Sequence, residues 1–377
     1  MFQPLKIAHF TQFLGIGGLE KIILDLSLKQ MSLGHQVEVV VYDEQQEWVS
    51  FFKEKGILVR SEIKKKKGLD FSLVDQFSDL ILHSHYDIIH THDINPLIYL
   101  SLTKKLLQLK YGYPLKHIHT THTLDHVENS WKVDLLERLF SPCADHLIAV
   151  SKKIYDYYLQ SVFIASTKLG LIENGVAVDD KAPSEEEMIQ LSHELGRDPS
   201  KLMAISLSRV VPLKDQEFLI RSMDDFPQIQ LFIVGPSSDP IYFKKLEELA
   251  TKATHSNIIF TGARTDVKAL NQLADIYLSA STHEGLPVSV LEAMSVGTPC
   301  LVSHIPGHRI LNKYGKCIKL YQIKDQKDFK SKLLLLLKEN EIKGEKRIPK
   351  DLSLKAIVLN HFSIQRMTKN YERIYRQ

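Results

Sequence analysis

Residues Ser279–Ser303 read SASTHEGLPVSVLEAMSVGTPCLVS, and they compress a strand, a turn, a helix and a second strand into one short unit. Ile276–Ser281 is expected to form a buried strand, and Pro287 falls at a first helical position, where a missing N–H costs nothing. Val288, Leu291 and Met294 then share one apolar helix face, Gly297 marks the end, and Pro299–Ser303 is expected to be the next strand. This is a βαβ unit. In such units ligands sit outside the carboxyl ends of the strands, where the N–H groups of the helix N-terminus attract anions such as diphosphates. Glu284 precedes the helix, and Glu292 lies roughly 7 Å along its axis at 1.5 Å per residue. Two carboxylates therefore bracket one anion site.

Carboxylates beside a diphosphate make sense when the ligand also carries hydroxyls, because carboxylates accept hydrogen bonds from them. A nucleotide sugar offers ribose hydroxyls on one side and sugar hydroxyls on the other. In isolation the two glutamates would read as a turn residue and a solvated helix residue. Their surroundings change that reading. EGLPVSVLEAMSVGTP resembles, at nearly every position, the E-x7-E signature of retaining GT-B glycosyltransferases, in particular glycosyltransferase family 4.

The chain has 377 residues, 44% of them hydrophobic and 25% charged, which suits a soluble protein with two ordinary domains. Lys plus Arg number 48 against 45 Asp plus Glu, so non-specific nucleic-acid binding is not implied. Cys143, Cys300 and Cys317 are too few and too far apart for a disulfide framework or a zinc ribbon. The opening MFQPLKIAHF turns polar at once, and nowhere do eighteen apolar residues follow one another. A cytoplasmic protein is expected, with room for peripheral contact at a membrane surface.

From the N-terminus, strand Lys6–Phe10 leads through TQFLGIGGLEK into a helix from about Glu20 to Leu33. GIGGLE lacks the G-x-G-x-x-G spacing of a dinucleotide fingerprint. It resembles the G-G-x-E loop that family 4 enzymes place over the donor diphosphate, which implicates Gly17 and Gly18; a tight turn is the alternative. Gln36–Tyr42 is a β-branched run typical of a doubly wound parallel sheet. Lys64–Lys67 reads as a solvated loop, or as the place where some relatives meet anionic lipid. Strands Tyr86–His90 and Leu115–Thr120 follow, each ending among histidines.

Eight histidines lie between His83 and His126. No zinc-protease pattern is present, and alternating histidines on a strand point to opposite faces. Most are expected at strand ends or on the surface, and no metal site is expected. The exception is His122, which resembles the histidine that family 4 enzymes hold against the transferring sugar; His119 or His126 takes that place if the loop is shifted. Strand His146–Val150 ends at Ser151, a helix cap, and LIENGV at Leu171–Val176 resembles the family segment closing the first domain. Asp179–Pro183 is polar and reads as a linker, and Ser184 with Glu187 forms a capping box.

The second domain opens with strand Leu202–Leu207 and SRVVPLKD, whose Arg209 and Lys214 stand where a diphosphate can be neutralised and match the family's R-x4-K pair. Gln230–Gly235 and Ile258–Gly262 are further strands, the first with Gly235 at its tip. Arg264 lies where relatives contact the base through backbone groups. HIPGHRI departs from the family's usual glycine-glycine-x-x-glutamate loop, which leaves sugar selectivity open.

The expected fold is α/β of the GT-B type: two Rossmann-like domains facing each other across a cleft, with a C-terminal helix crossing back to the first. The expected boundaries are 1–178 for the acceptor-side domain, 179–358 for the donor domain and 359–377 for that helix. The resemblance implies retaining, metal-independent transfer from a nucleoside-diphosphate sugar, UDP-sugar favoured over GDP- or ADP-sugar, to a glycan or lipid-linked acceptor. Under it His122, Glu284, Arg209 and Lys214 are catalytic. Gly17, Gly18, Arg209, Lys214, Gly235, Arg264, Glu284, Leu286, Pro287, Val288 and Glu292 bind the donor. A nucleotide-sugar epimerase on a similar scaffold and a non-catalytic GT-B subunit are the alternatives.

Overall fold

A computed structural model describes residues 3–44, 46–178, 183–252, 257–341 and 347–377. The chain divides into two compact units, Met1–Asn174 with Ile364–Gln377, and Gly175–Ser363. The expected boundaries differ from these by a few residues. The Val176 N–H donates to the Phe362 carbonyl at 2.9 Å, which ties both segments into the second unit. Most of the expected linker, residues 179–182, lies outside the described residues.

The first unit contains strands β1 (Lys6–Thr11), β2 (Gln36–Val41), β3 (Leu58–Arg60), β4 (Ile88–His92), β5 (Lys116–Thr121), β6 (His146–Ala149) and β7 (Leu169–Leu171). They form a parallel sheet in the order β3-β2-β1-β4-β5-β6-β7. Side chains on both faces are buried: Ala8, Phe10 and Val40 join one cluster, while Val39 and Val41 join another. Helix Ile364–Tyr375 packs against helix Gly18–Ser32 within this unit, and His35 Nε2 meets Glu372 at 3.0 Å. The preceding helix, Leu352–His361, belongs to the second unit.

The second unit holds β8 (Leu202–Leu207), β9 (Ile229–Val234), β10 (Ile258–Gly262), β11 (Ile276–Ser279), β12 (Cys300–Ser303) and β13 (Lys319–Tyr321). Their order is β10-β9-β8-β11-β12-β13, again parallel. Alternation along β8 sends Met203, Ile205 and Leu207 to one core cluster and Ala204 to the other. The predicted capping box is present: Glu187 N–H donates to Ser184 Oγ at 3.1 Å, and Ser184 N–H to Glu187 Oε2 at 2.7 Å.

In both units the strand order reverses once, between β1 and β4 and between β8 and β11. Connections leave these neighbouring strands toward opposite faces, which opens a crevice at their carboxyl ends. The loops after β1, β4, β8 and β11 are thereby fixed as the places where a ligand can reach backbone N–H groups.

Candidate active site

In the second unit, Arg209 and Lys214 follow β8 and Glu284 follows β11, on either side of the switch point. Pro212–Lys214 forms a 3-10 turn, and Asp215 ends it at φ 47° while capping the next helix through Phe218 N–H. Both the N–H and the hydroxyl of Thr282 donate to the Leu213 carbonyl, at 2.9 and 3.1 Å. These bonds draw the two loops together. Lys214 Nζ donates to Glu284 Oε1, which also accepts from Ser281 Oγ at 2.7 Å.

Burial alone would raise the Glu284 pKa. The Lys214 charge and hydrogen bond, the nearby His308 and the Ser281 hydroxyl outweigh it, and the carboxyl is held below its ordinary value. It is an ionised acceptor at neutral pH. Arg209 is exposed, with no ion-pair partner among the described residues.

The helix begins at Val288, with Pro287 flanking it at φ −77°, ψ 94°, one position earlier in role than expected. No side chain caps that end. Leu286 is buried beneath it, and Glu292 is half-buried in the helix. Gly235, at φ +148°, has a structural reason to be glycine: an added Cβ would stand 1.9 Å from the Ser208 carbonyl oxygen. It therefore shapes the loop that carries Arg209. The guanidinium of Arg264 is taken up by Asp266, at 2.8 and 2.7 Å, and by Glu194, at 2.7 Å.

HIPGHRI, whose pattern departs from the family loop, is built into this site. A Cβ on Gly307 would lie 2.5 Å from the carbonyl oxygens of both Glu284 and Gly285. His308 is fully buried, with Nδ1 2.7 Å from the Ser303 carbonyl. Neither Ser281 nor His308 was singled out from the sequence: Ser281 stands three residues before Glu284, a spacing that could have drawn it, whereas nothing in the spacing of His308 points to Glu284.

In the first unit, Gly17 flanks the start of helix Gly18–Ser32 in extended conformation, and Glu20 sits in its first turn. His83 and His85 are exposed, His92 ends β4 and His122 follows β5, in line with the expectation that most histidines lie at strand ends or on the surface; the burial of those on the strands was not expected. His90, His92, His117 and His119 are buried, because helices cover both faces of a parallel sheet and each alternating side chain meets a core. His9 joins them, and Asp93 just past β4 is half-buried, with φ 64°, ψ 175°, a region that side chains rarely adopt. Asp93 Oδ1 accepts from the His122 N–H at 3.3 Å. Burial pushes its carboxyl up to about 7, against the His122 N–H bond, with Glu137 and Glu20 adding to the rise.

His122 is half-buried, and its Nε2 lies 3.1 Å from His92 Nδ1. His9, His90 and His92 each bring a nitrogen within 4.8 Å of the others, as a metal ion would need. Their nitrogens are already engaged in hydrogen bonds, to Gln30, Tyr375, Thr120, His122 and each other.

Residues 188–350 match the family described as glycosyl transferases group 1, and residues 16–180 match glycosyltransferase family 4. An O-antigen biosynthesis glycosyltransferase of Escherichia coli, WclY, is 22% identical over 98% of both chains. The UDP-Gal:alpha-D-GlcNAc-diphosphoundecaprenol alpha-1,3-galactosyltransferase of the same organism is 24% identical, and this chain spans 62% of its length. Among solved structures, Anabaena Alr3699/HepE in complex with UDP and glucose superposes with a TM-score of 0.82 at 19% identity, over 98% of this chain and 99% of that one. WaaG, a glycosyltransferase involved in lipopolysaccharide biosynthesis, does so with a TM-score of 0.69 at 15% identity, over 98% and 99%.

Two Rossmann-like units with parallel sheets in one chain are the architecture of GT-B glycosyltransferases. Between them the two family matches take in most of the residues, and the chain belongs to the GT-B glycosyltransferases of the family 4 type.

Proposed function

We propose that this enzyme moves a hexose-type sugar from a nucleoside-diphosphate sugar, with retention of anomeric configuration and without a metal ion. The observation that carries the reading is the Lys214–Glu284 pair beside the uncapped start of helix Val288–Ser295. Glu284, held ionised, accepts hydroxyls of the sugar. Arg209, Lys214 and the N–H groups at Leu286–Val288 face the diphosphate, where charge grows as the glycosidic bond breaks. Two cations and a helix end can supply the counter-charge that a metal would otherwise bring. Glu292 accepts from ribose hydroxyls, the Arg264 backbone meets the base, and Gly17 and Gly18 lie over the diphosphate. His122 meets the reacting end of the sugar. The second unit is then the donor domain, and the first serves the acceptor.

UDP is favoured as the carrier because HepE binds it, and a lipid-linked or glycan acceptor because of the relatives' names. Among the described residues no helix is long and apolar enough to cross a membrane. The lysine run Lys64–Lys67, largely exposed, gives peripheral contact with anionic lipid at about 1 kcal/mol per lysine near the surface.

The test is a thermal-shift screen of UDP-, GDP- and ADP-sugars, followed by transfer assays with and without EDTA and NMR of the product anomer. Stabilisation by one nucleotide class, full activity in chelator and a retained anomer are expected. Inversion, or activity abolished by EDTA and restored by magnesium or manganese, refutes the reading. Isomerised donor formed with no acceptor present makes the protein an epimerase instead.

A further inference from the structure

Three imidazoles in the first unit form a single hydrogen-bonded line. Gln30, on helix Gly18–Ser32, turns its carboxamide oxygen to His9 Nε2 at 2.8 Å and its NH2 group to the Tyr375 hydroxyl at 3.2 Å. His9 Nδ1 lies 3.0 Å from His92 Nε2, and His92 Nδ1 lies 3.1 Å from His122 Nε2. The line starts on β1, crosses to its neighbour β4 and ends just past β5.

The chemistry of neutral imidazole sets the direction of every bond. One ring nitrogen carries the proton and the other accepts. The Gln30 oxygen can only accept, so His9 donates from Nε2 and accepts at Nδ1. His92 must then donate from Nε2 and accept at Nδ1, and His122 must donate from Nε2. The remaining nitrogen, His122 Nδ1, holds a lone pair; it is buried and has no hydrogen-bond partner among the described residues.

Tyr375 extends the same polarity to a second branch. Its hydroxyl accepts from Gln30 and donates to His90 Nδ1 at 2.7 Å, which leaves His90 Nε2 to donate to Thr120 Oγ1 at 2.8 Å. Each ring is kept neutral by its surroundings: burial lowers His9 to about 4 and His122 to about 3, and burial with the neighbouring imidazoles holds His92 well below the ordinary value.

We propose that Gln30, His9 and His92 are positioning residues that lock His122 as its Nε2–H tautomer, so that Nδ1 accepts a hydrogen bond from a hydroxyl of the bound sugar. A histidine free to change tautomer could face the same hydroxyl with an N–H and repel it. Fixing the tautomer removes that state, and the buried line places the ring without a charged partner. The inference rests on the reading of His122 as a sugar contact.

Nitrogen-15 NMR of the histidine-labelled full-length protein at neutral pH reads the tautomer directly. His122 is expected to show a pyrrole-type Nε2 and a pyridine-type Nδ1. The reverse pattern, a rapid average of both, or stoichiometric tightly bound zinc in the purified protein overturns the proposal. Function is read in variants. His92→Gln keeps one donor and one acceptor and should retain kcat within about threefold, whereas His92→Phe should lower it about tenfold with little change in KM, the scale of one lost hydrogen bond. Gln30→Glu and Gln30→Leu make a second pair with the same expected contrast. If His92→Phe does not fold, the wild-type spectrum still decides. His122→Ala with undiminished transfer removes the reading beneath the proposal; impaired transfer with the reverse tautomer leaves that reading standing and defeats the relay alone.

Discussion

Lys214 and Glu284, 70 residues apart in sequence, share a hydrogen bond between the loops after β8 and β11, while Arg209 in the same loop stands exposed. The two cations should therefore respond differently to removal. On the proposed function, Arg209→Ala takes away a charge that only the diphosphate uses, so kcat should fall more than KM rises, at unchanged Tm. Lys214→Ala also strands a carboxylate whose side chain is only 17% exposed, and stability should fall by about 1–3 kcal/mol in addition. Equal Tm for both variants would mean that the pair does nothing for the resting fold.

The two glutamates should also separate. Glu292→Gln is expected to weaken nucleoside diphosphate and intact donor alike, since the ribose is common to both. Glu284→Gln should leave nucleoside diphosphate binding nearly unchanged and reduce transfer about ten- to a hundredfold, the worth of a charged hydrogen bond. Calorimetry with both ligands on both variants decides, and equal losses throughout would place the sugar elsewhere.

The second unit was legible because its signals are local. Strand, glycine, proline and helix follow one another within Ser279–Ser303, and each element appears within two residues of its expected position. Ser184 and Glu187 announced their capping box through a three-residue spacing. The burial of the strand histidines was not legible, for the opposite reason. Burial of His90, His92, His117 and His119 depends on helices packing over both sheet faces, which is a property of the whole unit. His9 and His92 meet across 83 residues, and no spacing rule reaches that far. Asp93 carries no signal in the sequence, and its side chain accepts from the His122 N–H across 29 residues.

Gly235 and Gly262 make a controlled comparison, since both lie at positive φ. An added Cβ meets the Ser208 carbonyl at 1.9 Å in the first case and nothing within 4 Å in the second. Gly262→Ala should cost about 1–2 kcal/mol, the ordinary penalty of a left-handed residue. Gly235→Ala must also push back the Ser208–Arg209 backbone, so it should be less stable still and lose transfer. Indistinguishable melting temperatures would show that the loop yields freely.

The buried imidazoles predict how the first unit meets acid. His9 is lowered to about 4, His117 and His122 to about 3, each chiefly by burial, and His90, His92 and His119 lie well below the ordinary 6.5. An unfolded chain takes up these protons near 6.5, but the folded one refuses them until much lower pH. Stability is therefore fully present above about 6.5 and drains away as pH falls toward 4. Asp93 acts with the opposite sign: its carboxyl, pushed up to about 7, favours the fold in acid and loses that contribution as pH rises from about 4 to 7. Glu137, raised chiefly by burial, acts in the same sense as Asp93, and six imidazoles outweigh the two carboxyls. His9 alone is worth about 3 kcal/mol at pH 4, and a whole domain commonly has only about 5–15 kcal/mol to lose. Trp48 and Trp131 are the chain's two tryptophans and both lie in the first unit, so their fluorescence reports on it alone. Their emission should shift cooperatively between about pH 6 and 4, and His117→Leu, which removes one of the titrating rings, should make the Tm fall less steeply with pH across that range. Emission that stays flat down to pH 4.5, or stability lost on raising the pH through the same window, would show that these rings are not held neutral by the fold.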